Sequence, residues 1–402
     1  MSDASDRPAV LVVAGEPSGD RIAAGAARLL SARGVTCLGM GGEACAKAGV
    51  RLVAEMRPAA MGLTEVAGRW PDHARAWIRL ARIARAAPLE AALLVDHTEF
   101  NWRLGRYLRG RGVPVLWCVA PQVWAWRPGR LHARSWPFDR LAVILPFEET
   151  LWRDAGADAR YVGHPALDAP AQSKDVLRAS LGLSADRHAV ALLPGSRAHE
   201  VRRLAPAMLR AVGALEQTGR AVEARIGVAP WLDASTRTWL RREAAMAGVA
   251  TFDVDAELGA MEWLAAFDAS VVASGTATIE AALAGAPPVI VYRVSRVTAA
   301  IGRRLVRVPS IGLPNVLLGH RAYPELLQDL VEPKAIALAV RQVLDDRTKF
   351  ADLRERLRVS LAPPSSHLAT SAERTVARMD DWLGARERAS DRTPPLSLAA
   401  TR

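Results

Sequence analysis

Short runs of small and branched apolar residues recur along this chain, each followed by a longer stretch with helical spacing. AVLVVAG (9–15), TCLGMGG (36–42), AALLVD (91–96), PVLWCVA (114–120) and RLAVILP (140–146) are continuous apolar runs of strand length. Between them lie helical patterns such as RIAAGAARLLSARG, closing on Gly34, a residue suited to the left-handed position that ends a helix. A second series begins near His188 with AVALLPGS, VEARIGVA, ATFDV, ASVVASG and PPVIVYR. Strands that alternate with helices predict βαβ units and parallel sheets. Two such series predict two doubly wound α/β domains. The segment HPALDAPAQSKDVLRASLGLSADRH between them reads as a linker and an entry helix. The expected division is 1–167, then 168–384 with a closing C-terminal helix, then a polar, Pro-containing disordered tail at 385–402.

Composition changes this picture little. A length of 402 residues suits two domains, and a chain half hydrophobic and 24% charged is globular. No apolar run has the length of a membrane span, and MSDASDRPAV lacks the apolar core of a signal peptide, so a cytoplasmic location is expected. Cys37, Cys45 and Cys118 are scattered without a CxxC pair, which fits free thiols in a reducing compartment. The net charge of +11, nearly all arginine, favours a polyanionic partner: nucleic acid, an anionic membrane or a phosphorylated substrate. Solvated helix faces in an arginine-rich composition account for the same excess.

Candidate chemistry gathers in the loops after strands, where ligands of doubly wound sheets bind. In LPGSRAHEV, Gly195 lets backbone approach a ligand, Ser196 supplies a hydroxyl, and Arg197 offers a planar fork for phosphate oxygens ahead of a helix start. An ordinary capped turn would read the same way. In VVASGTATIEAAL, Ser274, Gly275 and Thr276 precede a helix whose Glu280 lies one turn on, placed to accept ribose hydroxyls or simply favoured at a helix start. VAGEPSGD, with Gly15, Glu16, Ser18 and Gly19, is neither GxGxxG nor a Walker A loop, and its acid suits sugar hydroxyls. VDHTEFN sets Asp96, His97 and Glu99 at a strand end, where buried charge is costly unless paired or used.

Taken together, VAGEPSGD, MGLTEV, VDHTEFN, PQVWAWRPGR, LPFE, VGHP, LPGSRAHEV, ASGTATIEAAL, LPNVLLG and PELLQ resemble, in order, motifs of the lipid-A-disaccharide synthase family. The resemblance runs from about Val10 to about Trp382. It implies a GT-B fold, two Rossmann-like domains facing across a cleft. It also implies transfer of 2,3-diacylglucosamine from UDP to 2,3-diacylglucosamine 1-phosphate (lipid X), with no cofactor and no metal. The second domain would hold the nucleotide and the first the acceptor. Carried over, Asp96 is the catalytic carboxylate and Arg197 the essential arginine. Gly195, Ser196, Ser274, Gly275, Thr276, Glu280 and Asn315 contact the UDP-sugar. Gly15, Glu16, Ser18, Gly19, Glu99 and Asn101 lie on the acceptor side. One block departs from the family, where His97, Thr98 and Glu99 replace a small residue, Pro and Asp. That leaves rate and acceptor preference open.

The expected mechanism is a single inverting displacement with Asp96 as general base; His97 and Glu99 would either orient or polarise it or be surface bystanders, the bystander reading being preferred for His97. The Asp253/Asp255 pair reads as a loop coincidence rather than a cation site. Acylated substrates require contact with the anionic inner-membrane surface. HARAWIRLARIARAA, with Trp77, offers an amphipathic basic helix that would either lie in the interface or pack on the sheet. Met61 and Trp70 before it, and Trp124 and Trp126 in PQVWAWRPGR, are further expected acyl or membrane contacts. Homodimerisation stays open, and no nucleic-acid partner is expected, since there are only four lysines and no basic module with interleaved aromatics. The rival readings are a catalytically impaired paralogue and another UDP-sugar enzyme of the same fold.

Overall fold

The computed structural model describes residues 9–55, 63–126, 128–132, 136–169, 173–254, 260–295, 298–299, 309–363 and 365–383. Two parallel sheets organise them. The first comprises β1 (Ala9–Ala14), β2 (Thr36–Gly41), β3 (Arg51–Glu55), β4 (Leu89–Val95), β5 (Val115–Cys118), β6 (Arg140–Val143) and β7 (Ala159–Tyr161), in the order β3-β2-β1-β4-β5-β6-β7. The second comprises β8 (His188–Leu193), β9 (Val222–Val228), β10 (Ala250–Asp253), β11 (Ala269–Ala273), β12 (Pro288–Tyr292) and β13 (Glu325–Leu327), in the order β10-β9-β8-β11-β12-β13. Each sheet reverses its winding once, between β1 and β4 and between β8 and β11. At such switch points the loops part and leave a crevice beyond the strand ends.

Every residue of β1 and β4 is buried, because helices cover both faces of the sheet. That is why these strands read as unbroken apolar runs. The strands missing from the sequence reading, RLVAE of β3, ARY of β7 and ELL of β13, are all edge strands. Short and interrupted by charge, they lack the two-sided burial that writes a strand into sequence.

The helix Leu63–Ala86 settles the choice left for HARAWIRLARIARAA. Ala76, Leu80 and Ala84 are buried against the first sheet, while Arg75, Arg79, Arg82, Arg85 and Ile78 face outward. The apolar stripe is core, so it cannot also lie in a membrane. Trp77 is likewise a packing residue, with its ring edge-on to Phe100 at 6.1 Å and 5.6 Å from Tyr107. Met61 lies outside the described residues, as do the side chains of Trp70 and Trp126, the tail 385–402 and Asp255.

The last described helix, Ser371–Ala377, starts with a capping box formed by Thr370 and Glu373 and packs on the helix Pro17–Ala32 of the first half. The Ser371 N–H donates to Asp168 (2.8 Å) and Arg374 Nε donates to the Val162 carbonyl (2.6 Å). Arg140 pairs with Asp381 at 2.6 Å and stacks over Trp382. The chain thus leaves the second sheet and returns to brace the first. No helix among the described residues is long and apolar enough to cross a membrane.

Candidate active site

Asp96 follows the last residue of β4. Both it and His97 hold left-handed backbone angles, φ 51° and 49°, which cost a residue with a Cβ energy unless its surroundings impose them. Asn101 imposes them here. Its buried amide donates to the carbonyls of Val95 (3.2 Å) and Asp96 (2.8 Å). The His97 ring stacks on Phe100, with centroids 5.3 Å apart, and fills the space above Gly15. A Cβ on Gly15 would stand 2.0 Å from His97 Nδ1.

These contacts revise what was expected of four residues. Gly15 makes room for a neighbouring ring, and Asn101, fully buried, clamps a turn; neither is among the residues that line the cleft. His97 is buried rather than a surface bystander, and burial, with His73 and Arg197 nearby, depresses its imidazole to about 4. Glu99 stands outside the cleft, exposed and paired with Arg130 at 3.0 Å. Burial pushes the Asp96 carboxyl up, against the pull of the His97 N–H and of Arg197. Gly19 is buried beside the strand end, where an added Cβ would make ordinary contact with Asp96 Cβ and Val95 at 3.5 Å.

From the second sheet, the loop after β8 turns at Gly195, φ 113°, where a Cβ would meet Glu200 Oε2 at 2.5 Å. Arg197 lies between two acids, 2.9 Å from Glu16 and 3.0 Å from Glu200. Those acids outweigh the cost of burial and hold the guanidinium firmly charged. Glu16, buried after β1, is pushed up to about 7 by burial, with Arg197 opposing and Asp96 reinforcing. The loop after β11 carries Ser274, whose hydroxyl donates to the Ile311 carbonyl (3.0 Å), then Gly275 and Thr276 ahead of the helix Ala277–Ala284. Glu280 on that helix accepts from Arg21 at 2.7 Å.

All these loops open onto one cleft of about 520 Å³, lined from the first half by Glu16, Ser18, Arg21 and Asp96. Gly195, Ser196, Arg197, Ser274, Gly275, Thr276 and Glu280 line it from the second. Asn315 is not among them. Its amide donates to the Tyr323 carbonyl (2.9 Å) and Glu325 (2.8 Å) and accepts from the N–H groups of Ala322 (2.9 Å) and Tyr323 (2.8 Å). A side-chain amide makes four hydrogen bonds at most, so nothing remains for a nucleotide. Trp124 forms part of the cleft wall instead of an outward membrane face. Its Nε1 donates to Glu148 at 3.0 Å and its ring meets Phe147 edge-on.

Glu148, His164, Arg21 and Trp231 line the same cleft and were not singled out from sequence. Glu148 is nearly inaccessible, and burial pushes its carboxyl up to about 8. The signal that marked Asp96, a titratable residue beyond a buried strand, was also present in LPFE, whereas VGHP follows the edge strand ARY that the sequence did not show. Asp253 pairs with Arg241 at 2.6 Å. Among the described residues no three His, Cys, Asp or Glu side chains gather as metal ligands.

The family described as Lipid-A-disaccharide synthetase matches residues 10–373. The chain is 40% identical over 361 residues to the Lipid-A-disaccharide synthase of Syntrophus aciditrophicus (strain SB), covering 87% of this chain and 91% of that one. It is 42% identical over 341 residues to that of Myxococcus xanthus (strain DK1622), covering 84% and 88%. Among solved structures, a putative UDP-N-acetylglucosamine 2-epimerase from Listeria monocytogenes superposes with a TM-score of 0.62 at 11% identity, covering 96% and 98%. Acinetobacter baumannii MurG superposes with a TM-score of 0.53 at 12% identity, covering 93% and 99%. At such identities the structures speak to fold alone, the GT-B arrangement of two facing Rossmann-like units. Matched along nearly its whole length, the chain belongs to the lipid-A-disaccharide synthase family of glycosyltransferases.

Proposed function

We propose that this enzyme joins UDP-2,3-diacylglucosamine to 2,3-diacylglucosamine 1-phosphate by one inverting displacement, releasing UDP and forming a β-1′,6 disaccharide. In this reading residues 1–167 receive the acceptor and 168–384 grip the nucleotide. Asp96 takes the proton of the acceptor 6-hydroxyl as that oxygen bonds to the anomeric carbon and the bond to UDP breaks. A raised carboxyl is the stronger base once ionised, and general-base assistance typically contributes about 10² to 10⁴ in rate. Negative charge growing on the leaving diphosphate meets Arg197 and the helix start at Ser274–Thr276, so no divalent ion is required. A ribose reaching Glu280 would exchange its two hydroxyls for Arg21.

The observation that carries this reading is the convergence of Asp96 and Arg197 on one cleft from the switch points of opposite sheets. Acylated substrates call for a peripheral site on an anionic membrane, for which the outward row Arg75, Arg79, Arg82 and Arg85 with exposed Ile78 is suited. The test is UDP release from the synthetic donor and acceptor in excess EDTA. Wild type is expected to turn over, and Asp96→Asn to lose about 10²-fold or more in kcat with its fold retained. Wild type that is inactive despite bound UDP would favour an impaired paralogue. Near-full turnover by Asp96→Asn would remove the base.

A further inference from the structure

The cleft wall of the first sheet holds a polar atom for which the described protein contacts supply no partner. His164 follows β7 in the VGHP turn and is only 4% exposed, yet it lines the cleft. Its Nδ1 accepts the Ala166 N–H at 3.2 Å and so caps the short turn Pro165–Leu167. A ring nitrogen that accepts carries no proton, so the proton sits on Nε2. Nε2 is buried and has no hydrogen-bond partner among the described residues. Burial depresses the imidazole to about 4, so the ring is neutral at ordinary pH and Nε2–H is a donor without charge. Protein interiors rarely leave such a donor unmatched, and because His164 lines the cleft, an acceptor brought by a ligand would match it.

The surroundings define that acceptor. The turn capped by His164 packs against the helix Ala277–Ala284, just behind Ser274, Gly275 and Thr276. Arg197 enters the same cleft from the β8 loop. These groups share a demand for oxygen-rich, negatively charged chemistry. The His164 turn is also held firmly. Arg374 donates to the Val162 carbonyl on one side and, through Nη1, to the Leu368 carbonyl (2.6 Å) on the other.

We propose that His164 is a further substrate-binding residue, donating its Nε2–H to a diphosphate oxygen of the bound UDP-sugar from the half opposite the nucleotide grip. This deepens the proposed function and rests on it. The contact exists only while the two halves face each other, so it couples diphosphate binding to their apposition.

Two substitutions separate this role from simple capping. His164→Asn keeps an acceptor for the Ala166 N–H but falls short of the Nε2 position. His164→Gln returns an N–H to that position. UDP affinity by titration calorimetry, kcat and KM for the UDP-sugar, and the melting temperature are measured for each. The expected result is about tenfold weaker UDP binding and lower kcat for His164→Asn at unchanged melting temperature, with recovery to within about threefold in His164→Gln. In unmodified protein, the His164 Nε2–H proton resonance is expected to move downfield on adding UDP. If wild type binds UDP while His164→Asn binds it equally well, or the two variants behave alike, or the resonance stays put, the assignment is overturned and the proposed function stands. Wild type that binds no UDP overturns both.

Discussion

Carboxyl groups around the cleft differ in what they have to lose. Glu148 is walled in, and the Trp124 N–H does not compensate its ionised form for lost water, so it rises from 4.5 to about 8. Between those values the folded chain keeps a proton that the unfolded chain has released. The stabilisation is complete below pH 4.5, declines as pH rises and is lost above about 8. Glu148→Gln is therefore expected to show a flatter melting temperature against pH from 5 to 8, with its advantage over wild type growing toward pH 8. Parallel curves would mean Glu148 titrates normally. Single residues were also the least legible scale of the sequence. Asp96, Arg197 and the Ser274–Thr276 loop could be read because strand-end position alone brings them to the cleft. Asn101, Asn315 and Gly15 could not. Whether a polar side chain faces a ligand or satisfies its own backbone is decided by partners such as Tyr323 and Glu325, eight and ten residues beyond Asn315.

Helices divide between packing and presentation, and Leu63–Ala86 does both on opposite faces. Leu80 is fully buried, so Leu80→Ala should cost about 2–5 kcal/mol whatever its effect on lipid. Arg82 and Arg85 are exposed, so the pair Arg82→Glu and Arg85→Glu should leave the melting temperature within a degree or two and sharply reduce flotation with anionic vesicles at low salt. Undiminished flotation would exclude these arginines from the proposed membrane contact. At this scale the sequence was largely legible. Ten strands were read from their apolar runs, including the exposed edge strand Ala250–Asp253, and the helix from Pro17 closes before Gly34, φ 79°, as its sequence implied. The amphipathic pattern of Leu63–Ala86 identified the helix but not the destination of its apolar face. Periodicity records that a stripe is covered without recording by what.

Across the whole molecule, two ion pairs among the described residues span the cleft: Arg197 with Glu16, and Arg21 with Glu280. If the Arg21 pair competes with ribose, Arg21→Ala should tighten UDP binding by about three- to tenfold. Unchanged or weaker binding in calorimetry would make Arg21 a bystander or a ligand contact. No periodicity could have forecast these pairs, since their partners lie 181 and 259 residues apart. Their arrangement has a consequence for assembly. Across the cleft each half sets one acid and one base, in opposite sense, so a half-turn would set Glu16 against Glu280 and Arg21 against Arg197. Wrongly docked halves are repelled by their own charges. The chain therefore carries a polarity key that selects the working orientation before any sugar nucleotide arrives.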